Sequence, residues 1–372
     1  MNEFVKVPES GGIVNGTVFL VVVACSCRAF VTTDATITGD GISGESQLLK
    51  ITSGLFSICF MLFLGFTDDV LEWPWRYKLF LPAFASIPLL ACYDGSTSIL
   101  LPTFVRGFLF ANEGLTSVGS FVDMFLSSLD PSITNLVNLG NWYLLYMSLL
   151  SIFTTNAINI YAGINGLEAG QSFIIAIFVV LHNILELNNT SLSSDNHLFS
   201  LMLILPYLAG TFALLVANWY PSKIFVGDTF CYFSGMTFAV VGIHGHFSKT
   251  LLLFFIPQII NFILSIPQLA KIVVCPRHRL PSFSAQENIM KPSSYPGVPG
   301  TFLTKCLALK DQVEGSETVR CMNLTFINLV LIIFGDMTES KLCTVLLFIQ
   351  FVFCAAGMAF RYSFIATGVF EE

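Results

Sequence analysis

The chain has 372 residues, of which 54% are hydrophobic and only 11% are Asp, Glu, Lys or Arg, and its mean hydropathy is +0.76. Since an ordinary soluble domain contains about 25% charged residues, this composition excludes a soluble globular protein and predicts a membrane protein. The net charge of −7 and the lack of a basic run exclude the electrostatic surface of a nucleic-acid-binding protein.

Segments long and apolar enough to span a membrane follow one another along the chain, because about 20 apolar residues cross the hydrocarbon layer. We predict nine such helices, at residues 16–33, 49–67, 78–95, 142–160, 169–187, 198–217, 229–245, 249–271 and 341–364. The fold class is therefore an all-α polytopic membrane protein. We expect a transmembrane domain over 1–271, a small cytosolic loop subdomain over 272–340, and a final helix and tail over 341–372.

The basic residues are unevenly distributed between the two sets of loops that alternating helices produce. One set, taken with its helix ends, holds twelve of the 17 Lys and Arg residues. By the positive-inside rule this set is cytosolic, and it includes loops 68–77, 161–168, 218–227 and 272–339. Within the last of these loops, the apolar run 324–335 is too short to span and is expected to pack against the membrane helices.

The second predicted helix ends on two adjacent carboxylates, Asp68 and Asp69, and Lys78 begins the third. Carboxylates beside a bilayer cost free energy unless they are hydrated, paired or bound to a cation. These two could deprotonate a nucleophile, hold a divalent cation or pair with Lys78. A solvated helix end with a salt bridge is the structural alternative, and the pair alone does not decide between them.

The connection between the fourth and fifth predicted helices, within residues 156–172, reads NAINIYAGINGLEAGQS. Asn159 and Asn165 offer carboxamide groups to a metal or to a nucleobase edge, and the glycines allow the backbone to turn or to approach a ligand. Ordinary turn chemistry is the alternative. The length of this polar insert at membrane depth favours a functional site.

Asp228 opens the seventh predicted helix, on the same membrane face as Asp68 and Asn159. It could serve only as a helix cap, which is worth about 1 kcal/mol. As a ligand, one carboxylate with one carboxamide, completed by phosphate oxygens and water, suits octahedral Mg²⁺ rather than Zn²⁺.

The segment CPRHRLP, residues 275–281, places Arg277 and Arg279 on either side of His278. Arginine donates two parallel hydrogen bonds to a phosphate or diphosphate. A basic flank that only sets topology is the alternative, but the prolines on both sides restrict the shape of the segment and favour a binding role. Carboxylates, a Mg²⁺-type pair and cationic groups on one face are the set that phosphoryl transfer requires.

These stretches together resemble the polyprenyl-phosphate N-acetylhexosamine-1-phosphate transferases, and most of all the eukaryotic branch that uses dolichyl phosphate. FLGFTDDV, NAINIYAGINGLEAGQS, NWYPSKIFVGDTFCYFSGM and CPRHRLP follow the order of that family, and the likeness extends from Pro8 to the last helix. The resemblance implies an active site on the cytosolic face of the endoplasmic reticulum membrane. It also implies Mg²⁺-dependent, tunicamycin-sensitive transfer of GlcNAc-1-phosphate from UDP-GlcNAc to dolichyl phosphate, the first step of lipid-linked oligosaccharide synthesis for protein N-glycosylation.

The resemblance further implies a role for each matching residue of this chain. Asp68, Asp69 and Lys78 would lie beside the reacting phosphates, and which aspartate is a base, if either, stays open. The other roles are Mg²⁺ binding by Asn159 and Asp228, phosphate contacts by Lys78 and Arg277, sugar contacts by His278, Arg279 and Trp75, and uridine contacts by Asn165 and Phe225. Membrane lipid surrounds the chain in this reading, and a homodimer is a further expectation.

Three departures from the family pattern and two alternative functions accompany this reading. The family pattern has ten helices rather than the nine predicted here, with the extra helix ahead of Pro8. It has Asn or Asp at the position of Glu72, and Pro74 interrupts a stretch that is usually polar or aliphatic in the family. An inactive or partner paralogue without the first helix is one alternative. A nucleotide-sugar transporter is the other, but it requires ionisable groups near the membrane midplane, whereas the charged residues here collect at one face.

Overall fold

Helices make up most of the described chain. The computed structural model describes residues 7–9, 11–38, 41–100, 110–111, 114–126, 136–189, 194–276, 279–296, 308–309 and 320–364. Its helices are α1 (Gly11–Thr38), α2 (Gly41–Leu71), α3 (Trp75–Ala91), α4 (Ser117–Leu126), α5 (Asn141–Ile160), α6 (Leu167–Asn189), α7 (Ser194–Asn218), α8 (Gly227–His244), α9 (Ser248–Phe254), α10 (Ile256–Leu269), α11 (Phe326–Phe334) and α12 (Glu339–Phe364).

Several of these helices can cross a membrane, which confirms a polytopic membrane protein. Among the described residues five are long and apolar enough: Ser46–Leu71, Asn141–Ile160, Leu167–Asn188, Asp195–Asn218 and Glu339–Ser363. The pair α9 and α10, bent by 71° at a short break, makes a sixth if it is counted as one broken span. All nine predicted segments overlap helices, but α1 and α3 supply only shorter apolar stretches, and α8 is not among the helices counted above. The count of nine spans therefore stays a prediction.

The helix α8 lies at the centre of the bundle and packs against α1, α2, α5 and α7. Every residue of α8 except Asp228 is buried. Glycines make this close packing feasible, because a Cβ on Gly65 of α2 would lie 2.6 Å from the Thr229 backbone, and one on Gly235 would collide with the backbone of Thr155. The start of α8 is thereby held against the end of α2.

Short antiparallel strands lie in the connections. Before α5, β1 (Ser98–Leu100) pairs with β4 (Leu136–Asn138), and β2 (Phe110–Ala111) pairs with β3 (Gly114–Leu115). Between α10 and α11, β5 (Ser282–Ser284) pairs with β6 (Ile289–Lys291). The remaining strands β7 (Ser294–Pro296), β8 (Ala308–Leu309) and β9 (Arg320–Met322) form a sheet in the order β7-β9-β8.

The connection after α10 packs onto the helices through α11, which confirms the expectation for the run 324–335. Phe326, Ile327, Val330 and Leu331 share an apolar cluster with residues of the α5–α6 connection and the start of α12, namely Tyr161, Ile164, Leu167, Leu342, Cys343 and Leu346. At nine residues, α11 is too short to span a membrane. The predicted division at residues 271 and 340 stays a prediction.

Candidate active site

A lysine and two carboxylates meet where the ends of α2, α3 and α8 converge. Lys78 Nζ lies 2.8 Å from Asp68 Oδ2 and 3.0 Å from Asp228 Oδ2. Asp68 is only 3% exposed, and it also accepts hydrogen bonds from Tyr232 OH at 2.8 Å and from the N–H of Trp73 at 3.0 Å. Of the three roles that the sequence leaves open for this aspartate, pairing with Lys78 is the one that the geometry displays.

Asp69 caps a helix that begins far along the chain. Its Oδ1 accepts a hydrogen bond from the N–H of Asp228 at 2.6 Å, and its Oδ2 accepts one from the N–H of Thr229 at 3.2 Å and another from the Thr229 hydroxyl. These N–H groups are in the first turn of α8, where a helix lacks internal partners. The alternative in which Asp228 is itself the cap is wrong, because Asp69 fills that role and leaves the Asp228 carboxylate to Lys78.

Gly227 allows this arrangement at the start of α8. Its φ of +74° lies in the left-handed region that side chains with a Cβ rarely adopt. A Cβ at this position would also collide with Oδ2 of Asp69. The glycine before Asp228 is therefore required both by the backbone conformation and by the space that the capping carboxylate occupies.

The loop between α5 and α6 is shaped by two glycines, Gly163 and Gly166, with φ of +118° and +86°. Side chains from three different places accept hydrogen bonds from its backbone. The pairs are Gly163 N to Glu168 Oε1 at 2.9 Å, Asn165 N to Glu339 Oε1 at 2.8 Å, and Gly166 N to Asn218 Oδ1 at 2.8 Å. None of these three acceptors was predicted from the sequence, although each is a polar residue at the end of an apolar helix.

Two neighbouring cavities, each of about 370 Å³, lie beside the Lys78–Asp228 pair and the α5–α6 loop. The first is lined by the α5–α6 loop with Asn165, and by Phe225 and Glu168. The second is lined by Lys78, Arg279 and residues of α5 and α11. Both cavities share four lining residues, which are Asn159, Ala162, Asp228 and Leu280. The predicted metal-binding pair, Asn159 and Asp228, thus lies where the two cavities meet.

Arg279 brings an unsatisfied donor to the second cavity. Its buried Nη1 has no hydrogen-bond acceptor among the described residues. Burial lowers the pKa of this guanidinium from its ordinary value, but arginine is so basic that the group stays charged. A buried, charged donor without an acceptor favours a bound anion or a polyhydroxyl ligand.

Some of the predicted site residues are not positioned by the structure. Arg277 and His278 lie outside the described residues, and of Trp75 only the backbone is described, at the start of α3. Their sugar and phosphate roles stay predictions. Two of the three departures from the family pattern fall on described residues: Pro74 is the N-cap residue of α3, with φ of −58°, and Glu72 has a left-handed φ of +48°.

The donor set at the junction of the cavities suits a hard cation with few protein ligands. Among the residues that the structure describes, no group of three or more His, Cys, Asp and Glu side chains could hold a metal ion. A metal bound at Asp228 would therefore need carboxamide and ligand oxygens in addition to the carboxylate. That is the usual situation of Mg²⁺, which is bound by one or two carboxylates with substrate phosphates.

Comparison with known proteins connects this geometry to a family. The family model described as Glycosyl transferase family 4 matches residues 51–246. A protein of Dictyostelium discoideum named "UDP-N-acetylglucosamine--dolichyl-phosphate N-acetylglucosaminephosphotransferase" is 42% identical over an alignment 370 residues long, which covers 96% of this chain and 78% of that protein. Proteins of the same name from Saccharomyces cerevisiae and Leishmania amazonensis are 42% and 34% identical, covering 82% and 97% of this chain and 67% and 80% of their own lengths. This chain belongs to glycosyl transferase family 4.

Proposed function

We propose that the chain transfers GlcNAc-1-phosphate from UDP-GlcNAc to dolichyl phosphate and releases UMP. The names of the relatives support the substrates, since these proteins match most of the chain at 34 to 42% identity. The observation that carries the proposal is the position of Asn159 and Asp228 at the junction of two cavities, one of which also holds Lys78 and Arg279.

A sugar nucleotide can be divided between these cavities. The uridine occupies the first cavity, beside Asn165 and Phe225, and the diphosphate lies at the junction. The sugar and the acceptor phosphate occupy the second cavity, where Lys78 and Arg279 supply positive charge. This order follows the covalent order of UDP-GlcNAc, and it directs the β-phosphate towards the cationic groups.

The reaction needs positioning and charge neutralisation more than it needs a base. An oxygen of the acceptor phosphate forms a new bond to the β-phosphorus of UDP-GlcNAc, and the bond to the oxygen that bridges the two phosphates breaks, which releases UMP. A phosphate monoester is already ionised at neutral pH, so no proton must be removed from the nucleophile. Asp68 and Asp69 accordingly contribute by positioning Lys78 and the start of α8, not as bases.

Asn159 and Asp228 would hold Mg²⁺ at the junction. When bound, this ion supplies neutralisation of the charge that develops on the diphosphate. Lys78 keeps the Asp228 carboxylate in place from one side, while Asp69 holds the Asp228 backbone from the other.

The proposal also includes the finer expectations of the sequence analysis. These are nine membrane spans, a location in the endoplasmic reticulum membrane with the site facing the cytosol, a homodimer, and contacts of Trp75, Arg277 and His278 with the donor. The alternatives are not favoured, because the relatives named above are transferases rather than transporters.

Transfer of radiolabelled GlcNAc-1-phosphate from UDP-GlcNAc to dolichyl phosphate by the purified chain tests the proposal. We expect product that requires Mg²⁺ and disappears with tunicamycin. Asp228→Ala should abolish transfer at any practical Mg²⁺ concentration. A matched control is Asp195→Ala, which removes an exposed carboxylate from the first turn of α7 at the other end of the bundle and should leave the rate unchanged. A folded wild-type chain that makes no product would refute the function, and an active Asp228→Ala would remove this residue from the metal site.

A further inference from the structure

The buried face of α10 is polar, whereas its exposed face is apolar. Phe262 and Ile263 are 39% and 58% exposed. The polar face of α10 consists of four residues that are at most 1% exposed, which are Gln258, Asn261, Ser265 and Gln268. Because membrane helices have no water around them, each of these side chains must find its hydrogen-bond partners inside the protein. The hydrogen-bond partners of each side chain therefore indicate its role in the structure.

Asn261 joins the ends of two helices. Its Nδ2 donates a hydrogen bond to the carbonyl oxygen of Ile160 at 3.2 Å, and its Oδ1 accepts one from the N–H of Phe326 at 2.9 Å. Ile160 is the last residue of α5 and Phe326 is the first of α11. Neither backbone group has a partner within its own helix, so a single carboxamide satisfies one backbone group at each helix end.

Both helix ends belong to the lining of the second cavity. On the α5 side, Ile160 and Asn159 line this cavity themselves. On the α11 side, Phe326 lies between Thr325 and Ile327, both of which line it. The two hydrogen bonds of Asn261 therefore connect these two walls directly.

The α11 wall also carries Arg279. Asn328, two residues after Phe326, donates a hydrogen bond from its Nδ2 to the carbonyl oxygen of Arg279 at 2.9 Å. A shift of α11 relative to α5 would consequently move Arg279 relative to Asn159. In the candidate site these residues face the sugar end and the metal end of the donor.

The other members of the polar face make different connections. Ser265 bonds to the carbonyl oxygen of Leu324, and Gln268 bonds to Asn323 and to the backbone of Leu324 and Val274. Gln258 donates to Gln171 and Gln350. Within the described part of the chain, Asn261 is thus the one of the four that bonds directly to both walls of the cavity.

We propose that Asn261 is a positioning residue that sets the distance between two walls of the second cavity, the α5 wall with Asn159 and the α11 wall with Arg279. It thereby determines how selectively this cavity binds the sugar of the donor. This inference rests on the proposed function, in which that cavity takes the GlcNAc and the reacting phosphates. Asn261 does not touch the substrate. It acts through the ends of α5 and α11.

The test is Asn261→Leu, which keeps a side chain of similar size and removes both hydrogen bonds. We expect the KM for UDP-GlcNAc to rise about tenfold, the change that corresponds to about 1.4 kcal/mol of lost binding, with a smaller fall in kcat. The preference for UDP-GlcNAc over UDP-GalNAc should weaken, and UDP-GlcNAc should raise the thermal unfolding midpoint of the variant less than that of the wild type.

Asn183→Leu is the matched control. Asn183 is also fully buried, and it makes two side-chain hydrogen bonds, to Ser200 at 2.6 Å and His197 at 2.8 Å, towards the end of α6 remote from the cavities. The Asn183→Leu variant should lower the thermal unfolding midpoint and leave the KM for UDP-GlcNAc and the sugar preference unchanged. A second variant, Asn261→Asp, keeps the shape and the acceptor for the Phe326 N–H but loses the donor to Ile160, and should change the KM in the same direction.

An Asn261→Leu variant that behaves like Asn183→Leu, with a lower midpoint and an unchanged KM and sugar preference, would overturn the proposal, because the role of Asn261 would then be purely structural. Failure of both Asn261 variants to fold would overturn it as well. An inactive wild-type chain would instead refute the proposed function, so the two failures can be told apart.

Discussion

Replacing Asp69 with alanine should both destabilise the protein and slow transfer, because this carboxylate holds the first turn of α8. The change removes the acceptors of the Asp228 N–H, the Thr229 N–H and the Thr229 hydroxyl. With its backbone released, Asp228 should no longer be fixed beside Lys78 and at the junction of the two cavities. Apart from Asp69 itself, which the resemblance places beside the reacting phosphates, the variant leaves every predicted substrate contact unchanged in sequence.

The expected size of the effect follows from those contacts. Loss of a capping side chain costs about 1 kcal/mol, and the charge interaction with the helix N-terminus adds about 0.3 to 1 kcal/mol, or more in partly buried geometry. We therefore expect a loss of about 2 kcal/mol for Asp69→Ala and about 1 kcal/mol for Asp69→Asn, which keeps an acceptor but not the charge. For a chain of 372 residues the shift is about 1 to 2 °C per kcal/mol, so the alanine variant should unfold about 2 to 4 °C lower.

The assay combines thermal unfolding in detergent with transfer kinetics at saturating UDP-GlcNAc. We expect kcat to fall at least tenfold in Asp69→Ala and less in Asp69→Asn, since the neutral amide still caps one N–H. Asp195→Ala, which removes a first-turn carboxylate from α7, serves as the control for a general charge effect. Unchanged midpoint and rate in Asp69→Ala would refute the capping argument, whereas a lower midpoint with a normal rate would show that Asp228 does not depend on the cap.

Two further predictions concern the same end of the bundle. Lys78→Met removes the shared partner of Asp68 and Asp228. It should lower the free energy of unfolding by about 1 to 3 kcal/mol, less than for a fully buried pair because Lys78 is partly exposed, and the transfer rate should fall in the same preparation. The control is Lys50→Met, which breaks the more exposed pair with Asp94 and should leave the transfer rate unchanged. Glu72→Asn should raise the unfolding midpoint, because asparagine tolerates the left-handed φ of +48° better than glutamate does; a lower midpoint would contradict this reading of the position.

Much of the candidate site could be located from the sequence, because its residues break a strong local pattern. Asp68, Asn159 and Asp228 are polar residues at the ends of long apolar segments, and a charged or amide group at such a position is conspicuous in a chain with 11% charged residues. Hydropathy depends only on neighbouring residues, so it also predicted the membrane class and segments that all overlap helices. It could not tell that α8 is buried on all sides, because a lipid-facing helix and a central one are similarly apolar.

The partners of these residues were decided only by the tertiary structure, because they lie far apart along the chain. Asp69 caps a helix 159 residues later, and Asn261 meets Ile160 across 101 residues and Phe326 across 65. Local periodicity carries no information on which distant backbone group a buried carboxylate or carboxamide will satisfy. The sequence by itself thus determined that this is a membrane protein with a polar site at one set of helix ends. The packing of α2, α5, α10 and α11 decided which side chains face the cavities and which ones hold them in place, because buried polar groups must find their partners wherever the helices bring them together.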